Sequence, residues 1–468
     1  MKLSFSTKDI EKTSKEYTRI SFIKEKKVRR LVREKGIETI EIGVALPLTQ
    51  RTFITLVRSV ITTAKQSKVR KIALQFDAHP WLFDGLKRIS LEHLFRLVGE
   101  NVEMANLEFT TYKSKPKEGW NQVEDILLCG AFDKTADLAL KRGQLIGQEV
   151  NKTRALAGTP GGHLTPRLLA TEAKRAVAGL PVKVTTFTHA QIKKLGMGLL
   201  AGVGEGSPHK STFTILEYKG GKKGERPIVL IGKGITFDAG GLNLKPSSSI
   251  YEMHMDMSGA ASVIHTVALA SKLKLKRNVI ALVPAAENLV GPDATRPGDI
   301  HTSLSGKTVE ITDTDAEGRL ILADAITYAK RFNPAVVIDA ATLTGGALVA
   351  LGFHASGLMT RDEELSKTLL ALGEASGEYV WRLPLWDEYE SVVKSEFADL
   401  QNHSIGNGRY GSATNGAIFL WQFAKELDCP WAHLDIAPRM TSTQGDELAK
   451  GAAGAPVRLL ISFIEQYG

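Results

Sequence analysis

Cysteine is almost missing from this 468-residue chain: Cys129 and Cys429 stand far apart, in no spacing that holds a metal or runs a redox cycle. That scarcity excludes a disulfide framework and fits a reducing compartment. Long apolar runs are missing as well. No stretch reaches the ~18 uncharged apolar residues of a membrane span, and the opening segment MKLSFSTKDIEKTSKEY has no apolar core of a secretory signal. The chain is therefore expected in the cytoplasm, with no membrane partner. There is no low-complexity tract and no internal repeat, and with 43% apolar and 24% charged residues the composition is that of a soluble globular protein. Its length exceeds one ordinary core and points to two or three domains.

Charge is in excess on one sign and in one place. The formal net charge is +9, of which residues 1–150 supply +8 (27 Lys and Arg against 19 Asp and Glu) and residues 151–468 only +1 (33 against 32). Residues 19–35, RISFIKEKKVRRLVREK, concentrate the excess. Such a lobe could attract nucleic acid; a solvated amphipathic face is the plainer reading, since charge runs mostly decorate surfaces.

The patterning predicts an α/β protein in two domains. In the first, IETIEIGVAL (37–46), KIALQFD (71–77) and VEDILLCG (123–130) read as strands, with a helix over 49–67 between the first two. A long helix over 133–157 then stops at Gly158, Pro160, Gly161 and Gly162. The boundary is placed there, giving a small N-terminal α/β domain over 1–150, basic and suited to oligomer or partner contacts, and a larger domain over 151–468. In the second, PIVLIG (227–232), NVIALVPA (278–285), AVVIDAA (335–341) and WAHLDIA (431–437) are apolar without alternation, and a helix over 258–273 separates the first two. Such strands imply a mixed sheet covered by helices on both faces, with ligands at the carboxyl ends of its strands.

Asp238 follows one such end, after PIVLIG, and Thr342–Gly346 and Ala437–Met440 follow two more, while a second acidic cluster stands at the entrance to a helix. Asp313 to Leu320 reads DTDAEGRL, three carboxylates and an arginine in one turn, and GKGITFDAGGLNLKP…MDM upstream carries Lys233, Asp238, Lys245 and Asp256. Apolar residues and glycines flank both, so the charges are expected to face one buried site. Burying several carboxylates together costs several kcal/mol per ion unless cations compensate. Two divalent metals would do so, with bridging carboxylates between them. A turn aspartate explains Asp238 alone, and complementing of a helix dipole explains Asp315 or Glu317 alone; neither explains both clusters with their lysines. The glycines do not make a phosphate loop: GKGITFDAGG lacks the required order and has an aspartate at its centre, and GVGEGS (202–207) would set Glu205 against a pyrophosphate.

GKGITFDAGGLNLKPSSSIYEMHMDMSGAASV together with TDAEGRLILADA resembles the leucyl aminopeptidase family of dinuclear zinc exopeptidases. The resemblance runs over roughly residues 150–465 and includes LEYKGG (216–221), AAENLVGPDATRPGDI (285–300), AATLTGGALVALG (340–352), WRLPLW (381–386) and AHLDIA (432–437). It implies that Asp238 and Glu317 bridge two divalent ions, zinc or manganese. Lys233, as a neutral amine, and Asp256 complete one site, and Asp315 the other. It further implies that Lys245 stabilises the oxyanion, that Arg319 holds a bicarbonate acting as proton acceptor, and that Met253, Thr342, Gly345 and Ala437 line the pocket for a leucine-like first side chain. Peptides would be the substrates and a homohexamer the assembly. Asp313 stands beside the substrate site where the family usually carries Asn. His254 is read as no ligand, His301, His354 and His433 as satisfied core or surface histidines, and Cys429 as a buried small hydrophobe.

Members of that family can combine peptidase activity with DNA binding, so DNA is a second candidate partner through the basic lobe. A dinuclear phosphoesterase is a third reading, which the match of TDAEGRL disfavours.

Overall fold

The computed structural model describes every residue except Ala131, Asn407, Arg409 and Gly468. The chain forms two compact units, Met1–Asn151 with Ser442–Lys450, and Lys152–Thr441 with Gly451–Gly468.

In the first unit, strands β1 (Lys2–Ser6), β2 (Thr18–Ile23), β3 (Arg29–Glu34), β4 (Ile37–Gly43), β5 (Lys71–Gln75) and β6 (Asp125–Cys129) form a sheet in the order β1-β6-β5-β2-β4-β3. All neighbours are parallel except β3 and β4. Helices α1 (Gln50–Gln66) and α2 (Leu91–Asn106) bury Phe53, Val57, Ile61, Leu97 and Val98 in its core. A third helix, α3, spans Lys134–Ala157. The basic run forms strands: it supplies most of β2 and the edge strand β3. Arg30 and Arg33 lie directly opposite Glu41 and Glu38 of β4, at 2.7 and 2.8 Å, and Arg29 pairs with Glu447 at 2.8 Å. Charged side chains on an edge strand discourage sheet-to-sheet pairing, though each exposed pair adds little stability. Leu448 packs against the same core, which ties Ser442–Lys450 to this unit.

The second unit holds β7 (Val182–Phe187), β8 (Thr212–Lys219), β9 (Ile228–Gly232), β10 (Gly234–Asp238), β11 (Asn278–Asn288), β12 (Ile300–Thr302), β13 (Thr308–Glu310), β14 (Val336–Ala341), β15 (Ser356–Met359), β16 (Val380–Arg382), β17 (Leu400–Gln401) and β18 (Trp431–Asp435). The main sheet runs β16-β15-β18-β14-β9-β11-β8-β7, with β18, β14, β9 and β11 parallel at its centre; β12, β13 and β17 form a separate small sheet. Every residue of β9, β14 and β18 is buried, as strands covered on both faces must be. The helices Ser258–Lys272 and Val457–Gln466 pack on one face, Glu317–Ala329 and Ser412–Ala424 on the other. The Ser258–Lys272 helix approaches the sheet unusually closely. A Cβ on Gly259 would run into the Ala340 carbonyl and stand 2.9 Å from Lys233 N. That approach sets the depth at which the residues following β9 are held.

Candidate metal centre

Lys233 occupies the break between β9 and β10. Its backbone N donates to Ala340 O of β14 at 3.1 Å, and its carbonyl accepts from Ala260 N at 2.9 Å. β10 then continues beside β11 and ends on Asp238, whose Oδ1 accepts from Asn288 Nδ2 and Gly240 N, both at 2.8 Å. Gly240 and Gly241 have positive φ of 88° and 65°, the left-handed geometry that turns the chain back toward Lys245. The second cluster arrives from the other side. Thr314 Oγ1 donates to Gly240 O at 2.6 Å, seating the turn against that loop, and Glu317 opens the Glu317–Ala329 helix.

The side chains converge. Lys233 Nζ lies 2.7 Å from Asp256 Oδ2 and 2.8 Å from Glu317 Oε1, and Lys245 Nζ lies 2.8 Å from Asp238 Oδ2 and 2.5 Å from Asp315 Oδ1. Carboxylate oxygens of Asp238, Asp315 and Glu317 come within 4.8 Å of one another, the geometry of a metal-holding group. Thr342 closes one side: its hydroxyl donates to Asp256 Oδ1 at 2.6 Å and its carbonyl accepts from Lys233 Nζ at 3.0 Å.

Electrostatically the cluster is short of positive charge. Four carboxylates face two ammonium groups. Burial pushes the Asp256 carboxyl up to about 8, Glu317 and Asp238 adding to the effect and Lys233 opposing it. Burial, with Asp238 and Glu317 behind it, pushes Asp315 up to about 7 against Lys245. Glu317 is raised by burial and by Asp238. Burial pulls both lysines down, but the surrounding carboxylates outweigh it and hold them above the usual lysine value. Glu317 Oε2 is buried without a hydrogen-bond partner. An orphaned carboxylate oxygen among crowded acids is what a divalent cation satisfies, so the residues present fit a metal.

The remaining expected residues surround this core. Arg319 is buried, its Nη1 donating to Asn402 O at 2.6 Å while its Nε has no partner. Burial lowers its pKa, against the charges of Glu317, Asp313 and Asp435. Asp313 caps the turn, accepting from Asp315 N at 2.9 Å, and its Oδ2 lies 3.9 Å from His403 Nδ1. Met253 sits on the short 3-10 turn leading to Asp256, Gly345 begins the Gly345–Leu351 helix, and Ala437 begins the turn after β18. Of the histidines set aside, His254 is half-buried and outside the carboxylate group, and His433 is fully buried on Asp339. Cys429 is only partly buried, against the core.

Sequence reasoning missed three residues that hold the site's backbone. Asn288 bridges Asp238 and Thr314 O. Asn402 accepts from Thr312 N at 2.8 Å and donates to Asp313 O at 2.6 Å, clamping the acidic turn. Asp435 fastens the loop after β14. Asn288 and Asp435 lie within segments that carried the resemblance, AAENLVGPDATRPGDI and AHLDIA; Asn402 acts on a neighbouring loop, for which no spacing rule exists.

The model of the cytosol aminopeptidase family's catalytic domain matches residues 151–461. A relative from Azoarcus sp. (strain BH72), described as "Probable cytosol aminopeptidase", is 49% identical over 335 residues, which take in 71% of this chain and 65% of the relative. Among solved structures, a mutant of tomato leucine aminopeptidase aligns with a TM-score of 0.88 at 27% identity, covering 100% of this chain and 96% of its own. The bottromycin maturation enzyme BotP in complex with Mn aligns with a TM-score of 0.84 at 28% identity, covering 97% and 99%.

Proposed function

This chain belongs to the cytosol aminopeptidase family, and from that premise we propose that it releases leucine-like N-terminal residues from peptides by hydrolysis assisted by two divalent metal ions. The observation that carries the metal assignment is the convergence of carboxylate oxygens of Asp238, Asp315 and Glu317, together with a Glu317 Oε2 that has no hydrogen-bond partner among the described residues. Asp238 and Glu317 would bridge the ions, Lys233 and Asp256 complete one site, and Asp315 the other. Zinc and manganese both suit this donor set, and manganese is the metal named with the BotP structure. When bound, such ions supply Lewis acidity toward a peptide carbonyl and lower the pKa of water.

The chain's own residues do the rest. Lys245 is held as an ammonium by Asp238, Glu317 and Asp315 at the edge of the cluster, a fixed positive charge for the developing oxyanion. Arg319, whose Nε has no hydrogen-bond partner among the described residues, would hold a bicarbonate as proton acceptor. Met253, Thr342, Gly345 and Ala437 would form the pocket for the first side chain. Lys233 is a ligand only as a free amine, so a metal must displace the proton that the neighbouring carboxylates favour, and metal binding should weaken on acidification. Cytoplasmic location and a homohexamer, with the first unit serving contacts between chains, complete the proposal.

The direct test is hydrolysis of leucine p-nitroanilide by protein loaded with zinc or manganese. Turnover should require metal and vanish on the N-acetylated substrate, and Lys245→Ala should lower kcat by about 10²–10³-fold, the effect of removing one oxyanion donor. A folded protein that binds two ions yet cleaves no aminoacyl anilide would sink the reading.

Gly318→Ala tests Lys233 separately. A Cβ at 318 would stand 2.5 Å from Lys233 Cε and 2.7 Å from its Nζ, forcing the amine out of place. Metal affinity should fall by about 10–100-fold with the circular dichroism spectrum unchanged. Titration with manganese reads this, and unaltered affinity would count against Lys233 as a ligand.

A further inference from the structure

We propose that Asp435 is the positioning residue that fixes the specificity wall of the site, and so sets which first side chain is accepted; this rests on the aminopeptidase reading. Asp435 ends β18 and is fully buried. Its Oδ1 accepts from Leu343 N at 3.2 Å and from Ala437 N at 3.1 Å, and its Oδ2 accepts the Thr344 hydroxyl at 2.6 Å. Thr344 Oγ1 in turn accepts from Ala347 N at 3.1 Å, capping the Gly345–Leu351 helix. One carboxylate thus ties the loop after β14 to the loop after β18.

The first of these loops lies against the acidic cluster, because Thr342 bonds both Asp256 and Lys233. Its near end is therefore pinned by the cluster and its far end by Asp435. Thr342, Gly345 and Ala437, the residues proposed to line the pocket, all sit on the two segments so joined. With Thr344 N a further donor to Oδ1 at 3.5 Å, the two carboxylate oxygens accept from three amides and a hydroxyl, an acceptor-only role that suits a carboxylate. Its buried charge is offset by those bonds and by Arg319, on which Asp435 acts electrostatically. Apart from that field on Arg319, which every substrate would feel alike, Asp435 meets the cluster through the loops it holds, so its distinctive effect should appear in substrate choice. A pocket wall displaced by a fraction of an ångström discriminates poorly between side chains differing by a few methylenes.

The test compares wild type, Asp435→Ala and Asp435→Asn on leucine, methionine, phenylalanine and alanine p-nitroanilides, with metal content and amide hydrogen exchange measured in parallel. In Asp435→Ala the leucine-to-alanine ratio of kcat/KM should fall at least ~10-fold, mainly through KM for leucine. Bound metal should be unchanged, and the amides of Leu343 and Ala437 should exchange faster. Asp435→Asn should recover part of the ratio. If Asp435→Ala fails to fold, Thr344→Ala, which removes a single bond to the carboxylate, should still shift the ratio by about 3-fold. Metal-loaded variants with wild-type ratios, or with one uniform loss across all four substrates, overturn the proposal alone. A wild type that cleaves none of the four overturns the aminopeptidase reading and this proposal together.

Discussion

Glu317→Gln is expected to lower kcat/KM by at least about 10³-fold and to leave at most one of the two ions bound. The substitution keeps the shape of a fully enclosed side chain, so the Glu317–Ala329 helix and its packing should survive. What it removes is charge at the point where charge is most concentrated. Oε1 is one of two carboxylate oxygens on Lys233, and Oε2 is the oxygen with no partner at all. An amide there presents a donor to the space a cation would fill. Metal analysis of the purified variant, beside circular dichroism and the leucine anilide assay, checks this. Two tightly bound ions and activity within tenfold of wild type would remove Glu317 from the bridging position.

Asp339→Ala is expected to cost about 3–5 kcal/mol of stability, the price of leaving one partner of a buried charged pair alone. Asp339 lies in β14 with no exposure, its Oδ1 2.5 Å from His433 Nδ1 and its Oδ2 accepting from Trp431 Nε1 at 2.8 Å. Burial pulls the His433 imidazole down, but Asp339 outweighs it and raises the pKa above the usual value. A raised histidine pKa stabilises the fold below the unfolded value near 6.5 and ceases to as pH rises through the folded value. The gap between wild type and Asp339→Ala should therefore be widest below about pH 6.5 and narrow in alkali. Urea unfolding at pH 6 and pH 9 reads both size and slope. A gap of equal size at pH 6 and pH 9 would mean that His433 is neutral in the native state.

The central strands were legible because burial on both faces leaves a largely apolar run without alternation, unbroken in IVLIG and interrupted only by Asp339 in VVIDAA. The acidic clusters were legible because ionised groups among isoleucine and glycine have few structural uses. β2 was harder. Thr18, Ile20 and Phe22 do alternate inward, but the density of lysine and arginine around them masked that alternation; the charges do lie on a solvated face, where they pair across β3 and β4. β10 was not read as a strand, since Lys233 interrupts the line from β9 and only the pairing with β11 reveals its continuation. Asn402 left no trace for a different reason, and Asp435, though inside the AHLDIA segment, was not singled out there. Both act mainly on backbone atoms of loops that are distant in sequence, and a hydrogen bond to a peptide group imposes nothing on its partner's identity.

The return of Ser442–Lys450 to the first unit bears on how this protein is made. That unit begins at the first residue of the chain, yet its last segment leaves the ribosome only when residue 450 has been added. At about 5–20 residues per second, the interval between Asn151 and Ser442 lasts roughly 15–60 s. For that time the amino-terminal sheet exists without the glutamate that pairs with Arg29 and without Leu448 against its core. A nascent chain halted before residue 442 should accordingly be cut by protease within residues 1–151 faster than the finished protein, whichever unit carries the chemistry.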